Sequence, residues 1–245
     1  MNKTERLTQL FGKRITQGDF APGMALPSEA ELCEQFGVSR NVIREVVKVL
    51  ATKRLIDAQR NRGLYVMPAE RWNYLDADVL EWTLEKGSHP SLIRSLIEVR
   101  GLIEPTISRW AAERATAVDL VDIEASFNAM AANPNRLDVF HEADIRFHRA
   151  VLVASHNVVM QQLTDAVSAL QRAIFDVTFM HEAADMALAI QEHRDLLEAI
   201  RLKLPDTAES ASRRMIERTA QRAFSDMDRD AGKIGTRAPD TEMDS

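Results

Sequence analysis

A single cysteine, Cys33, stands in a chain of 245 residues. That excludes a disulfide scaffold and a thiolate zinc cluster, and fits a reducing compartment. With Gly 9 and Pro 8, the chain has too little of either for a collagen-like or low-complexity protein. No apolar run approaches the roughly 20 residues that span a bilayer. Met1 to Ile15 alternates charged with apolar residues, unlike the uninterrupted core of a signal peptide. What remains is 45% hydrophobic and 28% charged, the balance of a soluble globular protein of one large domain or two small ones. These absences predict a cytoplasmic protein with no membrane partner.

The net charge of −6 is unevenly distributed. Residues 1–70 hold 11 Lys/Arg against 8 Asp/Glu, whereas residues 71–245 hold 20 against 29. Within 36–66 the count is 7 basic to 2 acidic. A basic segment inside an acidic chain fits a nucleic-acid-binding module joined to a domain that does not bind; on charge alone, a solvated face fits as well.

Helical spacing of Leu7, Leu10, Phe11 and Ile15 predicts a first helix over about 3–17, broken by Gly18 to Gly23. Ser28, with Glu31 three residues on, starts a second helix that Gly37 ends. Ser39 caps a third, from Arg40 to about Lys53, with Val42, Val46, Val49 and Leu50 as its apolar face. Two short helices joined by Gly-Val-Ser form a helix-turn-helix. Strand-like Leu55 to Ala58 and Leu64 to Met67 flank a basic, Gly-ended tip, which makes a wing. Residues 71–90 read as a linker with a short helix. Helices are expected over about 91–114, 117–132, 137–154, 157–181, 185–203 and 206–228, and a polar tail over 231–245 as disordered. The fold class is mainly α: an N-terminal winged helix-turn-helix (1–70), then an all-α antiparallel bundle (91–230).

In a helix-turn-helix the start of the second helix enters the major groove. Here that start presents Ser39, Arg40, Asn41 and, one turn on, Arg44. Arginine can bond a guanine edge with two donors, and asparagine can do the same to adenine. Arg60, Arg62 and Gly63 at the wing tip are placed to reach phosphates or the minor groove. Two such modules in a homodimer would read a palindromic duplex.

Pro27 to Glu45, PSEAELCEQFGVSRNVIRE, resembles the winged-helix signature of GntR-type bacterial transcription regulators. Glu98-Val99-Arg100 with Glu104, Asp144-Ile145-Arg146-Phe147-His148 and Glu192-His193 resemble the ligand-binding (FCD) domain of the FadR subfamily. Trp72 to Asp76 and Trp110 to Thr116 resemble the members that respond to aldonates. The resemblance implies a regulator, in the first instance a repressor, released from its operator by a small sugar acid. Many members carry an arginine that contacts DNA where this chain has Ala30, so the resemblance implies one contact fewer and a different operator.

Asp144 and His148 are four apart on one helix face, with Phe140, Phe147 and Val151 beside them. His193 also points with the apolar stripe of its helix. Three such groups could hold Zn²⁺, Ni²⁺ or Mn²⁺ with an open position for an effector carboxylate, or form a hydrogen-bonded polar core without metal. Metal-binding members of the resembled family add a third histidine from the last long helix; the matching position here is Arg218. Arg100, in a strongly apolar helix, is the candidate to pair with an anionic effector. The alternative is a structural bridge to Glu104 at i+4. Another carboxylate or a long acyl effector is the second reading of function. A metal-dependent enzyme is the third, but the sequence shows no nucleophile motif or phosphate loop to support it.

Overall fold

The computed structural model describes residues 1–59, 63–85, 89–178 and 183–234; within them the side chains of 58, 59, 170, 173–178, 183, 184 and 225–234 are not described. The chain divides into two compact units, Met1–Gly87 and Ser88–Ser245. Among the described residues are eleven α-helices and one two-stranded antiparallel sheet, and no helix is long and apolar enough to cross a membrane.

Reciprocal caps set the first helices of unit one. Asn2 and Glu5 bracket the start of α1 (Lys3–Thr16), and Ser28 and Glu31 bracket α2 (Glu29–Phe36). Gly37 closes α2 at φ 59°, a left-handed conformation that glycine adopts without strain. Ser39 accepts from the Val42 amide and opens α3 (Arg40–Thr52). The buried stripe of α3 is Ile43, Val46, Val47 and Leu50, with Val42 and Val49 only half-buried. It is turned from the expected face because α1, α2 and β1 (Ile56–Gln59) all pack on this helix. β1 pairs with β2 (Gly63–Val66) in the register Ile56↔Val66 to Gln59↔Gly63. The loop before α2 adds to the other edge of β2: the Gly23 and Leu26 amides donate to the Val66 and Leu64 carbonyls at 2.8 Å.

Where a linker was expected, 71–85 is fastened to unit one. The Trp72 indole donates to the Met67 carbonyl at 2.9 Å. Lys53, at the end of α3, reaches both Asp76 oxygens at 2.7 and 2.8 Å and Asp78 Oδ2 at 2.7 Å. Asp76 also caps α4 (Ala77–Leu84), whose Val79 and Trp82 are buried in the same core as Phe11, Ile15, Ile43 and Leu50. These side chains are too apolar to leave in water, so the short helix docks on α1.

Unit two runs α5 (Pro90–Arg114), α6 (Ala117–Ala131), α7 (Leu137–Ala154), α8 (Val158–Gln161), α9 (Thr164–Thr178), α10 (Ala183–Arg201) and α11 (Pro205–Ile234). Its core joins Ile107, Ile123, Met130, Phe140, Phe147, Val151, Leu197 and Ile200. The single helix expected over 157–181 is two. Asn157 caps α8, and tight bonds from Gln162 to the Val159 carbonyl and from Leu163 to the Met160 carbonyl overwind its end. α9 then restarts at Thr164. α11 continues through 231–234, where the tail was expected to begin; the rest of that tail, 235–245, lies outside the described residues.

Candidate functional site

The first site is the outer face of α3. Arg40, Asn41 and Arg44 are exposed, and Ser39 sits at the cap that aims them. Arg44 Nε lies 3.2 Å from Glu29 Oε2, a pair whose arginine is 66% exposed. Such a pair is worth little in water, so it parks the guanidinium without holding it. Gly63 is exposed at φ 89°, which lets the hairpin turn back there. Arg60 and Arg62 lie outside the described residues. The basic groups thus gather on a rigid helix whose far end Lys53 anchors.

The second site lies inside unit two, where α5, α7 and α10 meet. Asp144, His148 and His193 each bring one donor atom within 4.8 Å of the others, the convergence expected from their helix faces. His193 Nε2 is 2.8 Å from Asp144 Oδ1, and His148 Nε2 is 3.7 Å from it. The two Nε2 atoms are 3.4 Å apart. Phe147 packs edge-on against both imidazoles.

The outward ring atoms decide where the protons sit. His193 Nδ1 is 2.7 Å from the Ala189 carbonyl, which only accepts, so Nδ1 carries a proton. His148 Nδ1 faces Glu104 Oε2 at 3.4 Å, which draws its proton outward too. In the neutral rings both Nε2 atoms are then bare lone pairs directed at a carboxylate oxygen. Three electron-pair donors at such distances need a cation between them, either a proton on one ring or a metal ion. Metal-ligating histidines are oriented in this way by a carbonyl or carboxylate behind them. The donor chemistry therefore fits a divalent metal.

When the cation is a proton on the rings, burial raises the Asp144 carboxyl, but the hydrogen bond from His193 and the charges of His148, His193 and Arg100 outweigh it. Asp144 is held far below the usual carboxylate range and stays ionised. Burial pushes His148 down against the pull of Asp144 and Glu104, so its ring favours the neutral form that binds metal.

Arg100 is buried and joined to Glu104 by Nε–Oε1 at 2.5 Å and Nη2–Oε2 at 3.2 Å. This is the bridge weighed above as the alternative to an effector role. Burial raises Glu104, but Arg100 and His148 bring it below its ordinary value. Arg100, Glu104, His148, Asp144 and His193 form one continuous network. Helical spacing offers Glu104 as a partner for Arg100; its second contact, to a different helix, carries no sequence signal. Arg218 pairs with Glu192, the residue before His193 on α10.

Residues 3–66 match the family described as bacterial regulatory proteins, gntR family, and residues 95–218 match the FCD domain. The galactonate operon transcriptional repressor of Escherichia coli (strain K12) is 51% identical over 222 residues, covering 91% of this chain and 97% of the relative. The Glc operon transcriptional activator of the same organism is 28% identical over 249 residues, 98% of this chain and 95% of its own. Among solved structures, that of Lar, which controls expression of the Listeria monocytogenes agr system, covers 92% of this chain and 98% of its own, with TM-score 0.64 and 16% identity. That last likeness is one of fold.

Proposed function

We infer the function from one starting point: the chain belongs to the GntR family of bacterial regulatory proteins and carries an FCD domain behind the family's DNA-binding module. It is a transcription regulator, not an enzyme. On our reading it is a cytoplasmic homodimer that represses a sugar-acid catabolic operon, and a galactonate-like aldonate releases it from DNA. What carries this reading is the likeness, over nearly the whole of both chains, to a repressor of the galactonate operon.

In this reading Arg40, Asn41 and Arg44 contact base edges, and Arg60, Arg62 and Gly63 contact the backbone or minor groove, in two half-sites of a palindrome. Asp144, His148 and His193 hold one divalent ion, Zn²⁺, Ni²⁺ or Mn²⁺. When bound, that ion supplies a Lewis-acidic position for an effector carboxylate. Arg100 uses Nε and Nη2 on Glu104 and keeps Nη1 for the effector. An effector that prefers the state with mismatched half-site spacing shifts the population off DNA; one that binds both states equally does nothing.

Fluorescence anisotropy on duplex DNA from upstream of this protein's own gene tests the reading at fixed salt. D-Galactonate, D-gluconate and a fatty acyl thioester are added in turn, with and without a chelator. Release by a sugar acid, lost in chelator, is the expected result. Release by the thioester alone, or no specific binding to the DNA, overturns it.

A further inference from the structure

Gln171 on α9 is 3% exposed, yet neither its Nε2 nor its Oε1 has a hydrogen-bond partner among the described residues. A primary amide offers two donors and a carbonyl with two lone pairs. Burying all of them unpaired is costly, and native interiors rarely tolerate it. A leucine would fill the same space without that cost. The amide therefore points to a partner that the described residues do not supply.

Its position says which partner. α9 packs against α5, α7 and α11, and α5 and α7 carry Arg100, Glu104, Asp144 and His148. On the exposed side of the α7–α9 pair, Arg172 Nη1 lies 3.9 Å from Glu142 Oε1. Gln171 is one residue from Arg172, and Asp144 is two from Glu142, so both lie within one helical turn of the point where α9 and α7 are bridged. Gln171 faces the buried side. Ser168, one turn away on that side, is 5% exposed, and Thr164, a further turn back, is 7% exposed. The Thr164 hydroxyl is spent on the Gln161 carbonyl at 2.5 Å. Polar residues at 164, 168 and 171 make a stripe where a helix facing its core would ordinarily be apolar.

We propose that Gln171 reads the hydroxyl groups of the effector, its orphaned amide being completed by the polyol chain of a sugar acid beside the Asp144–His148–His193 cluster. Each hydroxyl both donates and accepts, which is what the amide lacks. A hydroxyl-free acid of equal length leaves the amide as unpartnered as before. The inference rests on the sugar-acid reading above and narrows it to one residue that sets specificity. A site built to bond a hydroxyl discriminates strongly against an analogue without one.

The test uses the full-length protein and three ligands: D-galactonate, D-gluconate and hexanoate. Affinities are measured by calorimetry, and operator release by anisotropy. Gln171→Leu is expected to weaken D-galactonate binding about tenfold or more. It should leave operator affinity and hexanoate binding unchanged, and the melting temperature no lower than wild type. Gln171→Asn, one methylene short, is expected to lose several-fold and carries the test if the leucine variant misfolds. Water is the competing occupant of this position. If water suffices, Gln171→Leu binds D-galactonate as wild type does, and the inference is overturned while the functional reading stands. If wild type binds neither sugar acid, both fall.

Discussion

Gly12 lies inside α1, where alanine would ordinarily be the better helix former by up to about 1 kcal/mol. Here a Cβ on Gly12 would lie 2.0, 2.3 and 2.6 Å from Cζ3, Cε3 and Cη2 of Trp82. The ring is 2% exposed and the helix beneath it is rigid, so neither side yields cheaply. Overpacking costs about 1–3 kcal/mol, and three ring atoms inside contact distance put this case near the upper end. After the helix gain, Gly12→Ala should destabilise unit one by about 2 kcal/mol. In a Trp82→Ala background the clash is gone, and the same substitution should stabilise by up to about 1 kcal/mol. The sign reverses, with a coupling of about 3 kcal/mol between the two sites. Urea unfolding followed by tryptophan fluorescence in a Trp110→Phe background reports on unit one alone, through Trp72 and Trp82. With m near 1 kcal/mol/M for so small a unit, the midpoint should fall by about 2 M. A midpoint that rises in Gly12→Ala with Trp82 present would refute the docking of α4 on α1.

Arg44→Ala should weaken operator binding by about 1–3 kcal/mol, the worth of one bidentate base contact. Glu29→Ala should not weaken it, because the exposed pair only parks the arginine; anisotropy at fixed salt separates the two, and unchanged affinity in Arg44→Ala removes α3 as the reader. Zn²⁺ or Ni²⁺ at a hundred times its dissociation constant should stabilise unit two by about 2.7 kcal/mol, reversed by chelator and absent in Asp144→Ala. A wild-type melting curve indifferent to Zn²⁺, Ni²⁺ and Mn²⁺ alike would leave the cluster a polar core. Asp119 closes the capping box of α6 and pairs with His156 at 2.8 Å; burial raises its carboxyl, but bonds from Thr116 and His156 bring it below its ordinary value. The folded carboxylate thus resists protonation more than the unfolded one, so its contribution is full above the ordinary pKa and is lost as pH falls through the folded value. Asp119→Ala should cost about 1 kcal/mol at neutral pH and almost nothing once the pH lies well below the folded value, and a difference independent of pH would sink the cap as its cause.

Features whose partners lie within four residues were legible before the fold was known. Ser28 with Glu31, Gly37 and Ser39 announce the helix-turn-helix because caps are local, and Asp144 with His148 announces a shared face because helical spacing is local. The capped break at Asn157 is equally local, but the overwound bonds at Gln162 and Leu163 that end α8 leave no mark on the apolar period. What escaped the sequence depends on partners far along the chain. A linker and a docked helix look alike until Trp82 meets Gly12 and Lys53 meets Asp76 and Asp78. The cluster itself shows the same divide. Helical spacing could aim three side chains inward, but where their protons lie is set by the Ala189 carbonyl, one turn away, and by Glu104, on another helix. Gln171 is the extreme case, since glutamine suits a helix almost anywhere and only the lack of a partner among the described residues sets this one apart. That lack exists only once every neighbour's hydrogen bonds have been assigned. A residue proposed to confer specificity in this way is one that a periodicity argument passes over, because nothing among the described residues completes it.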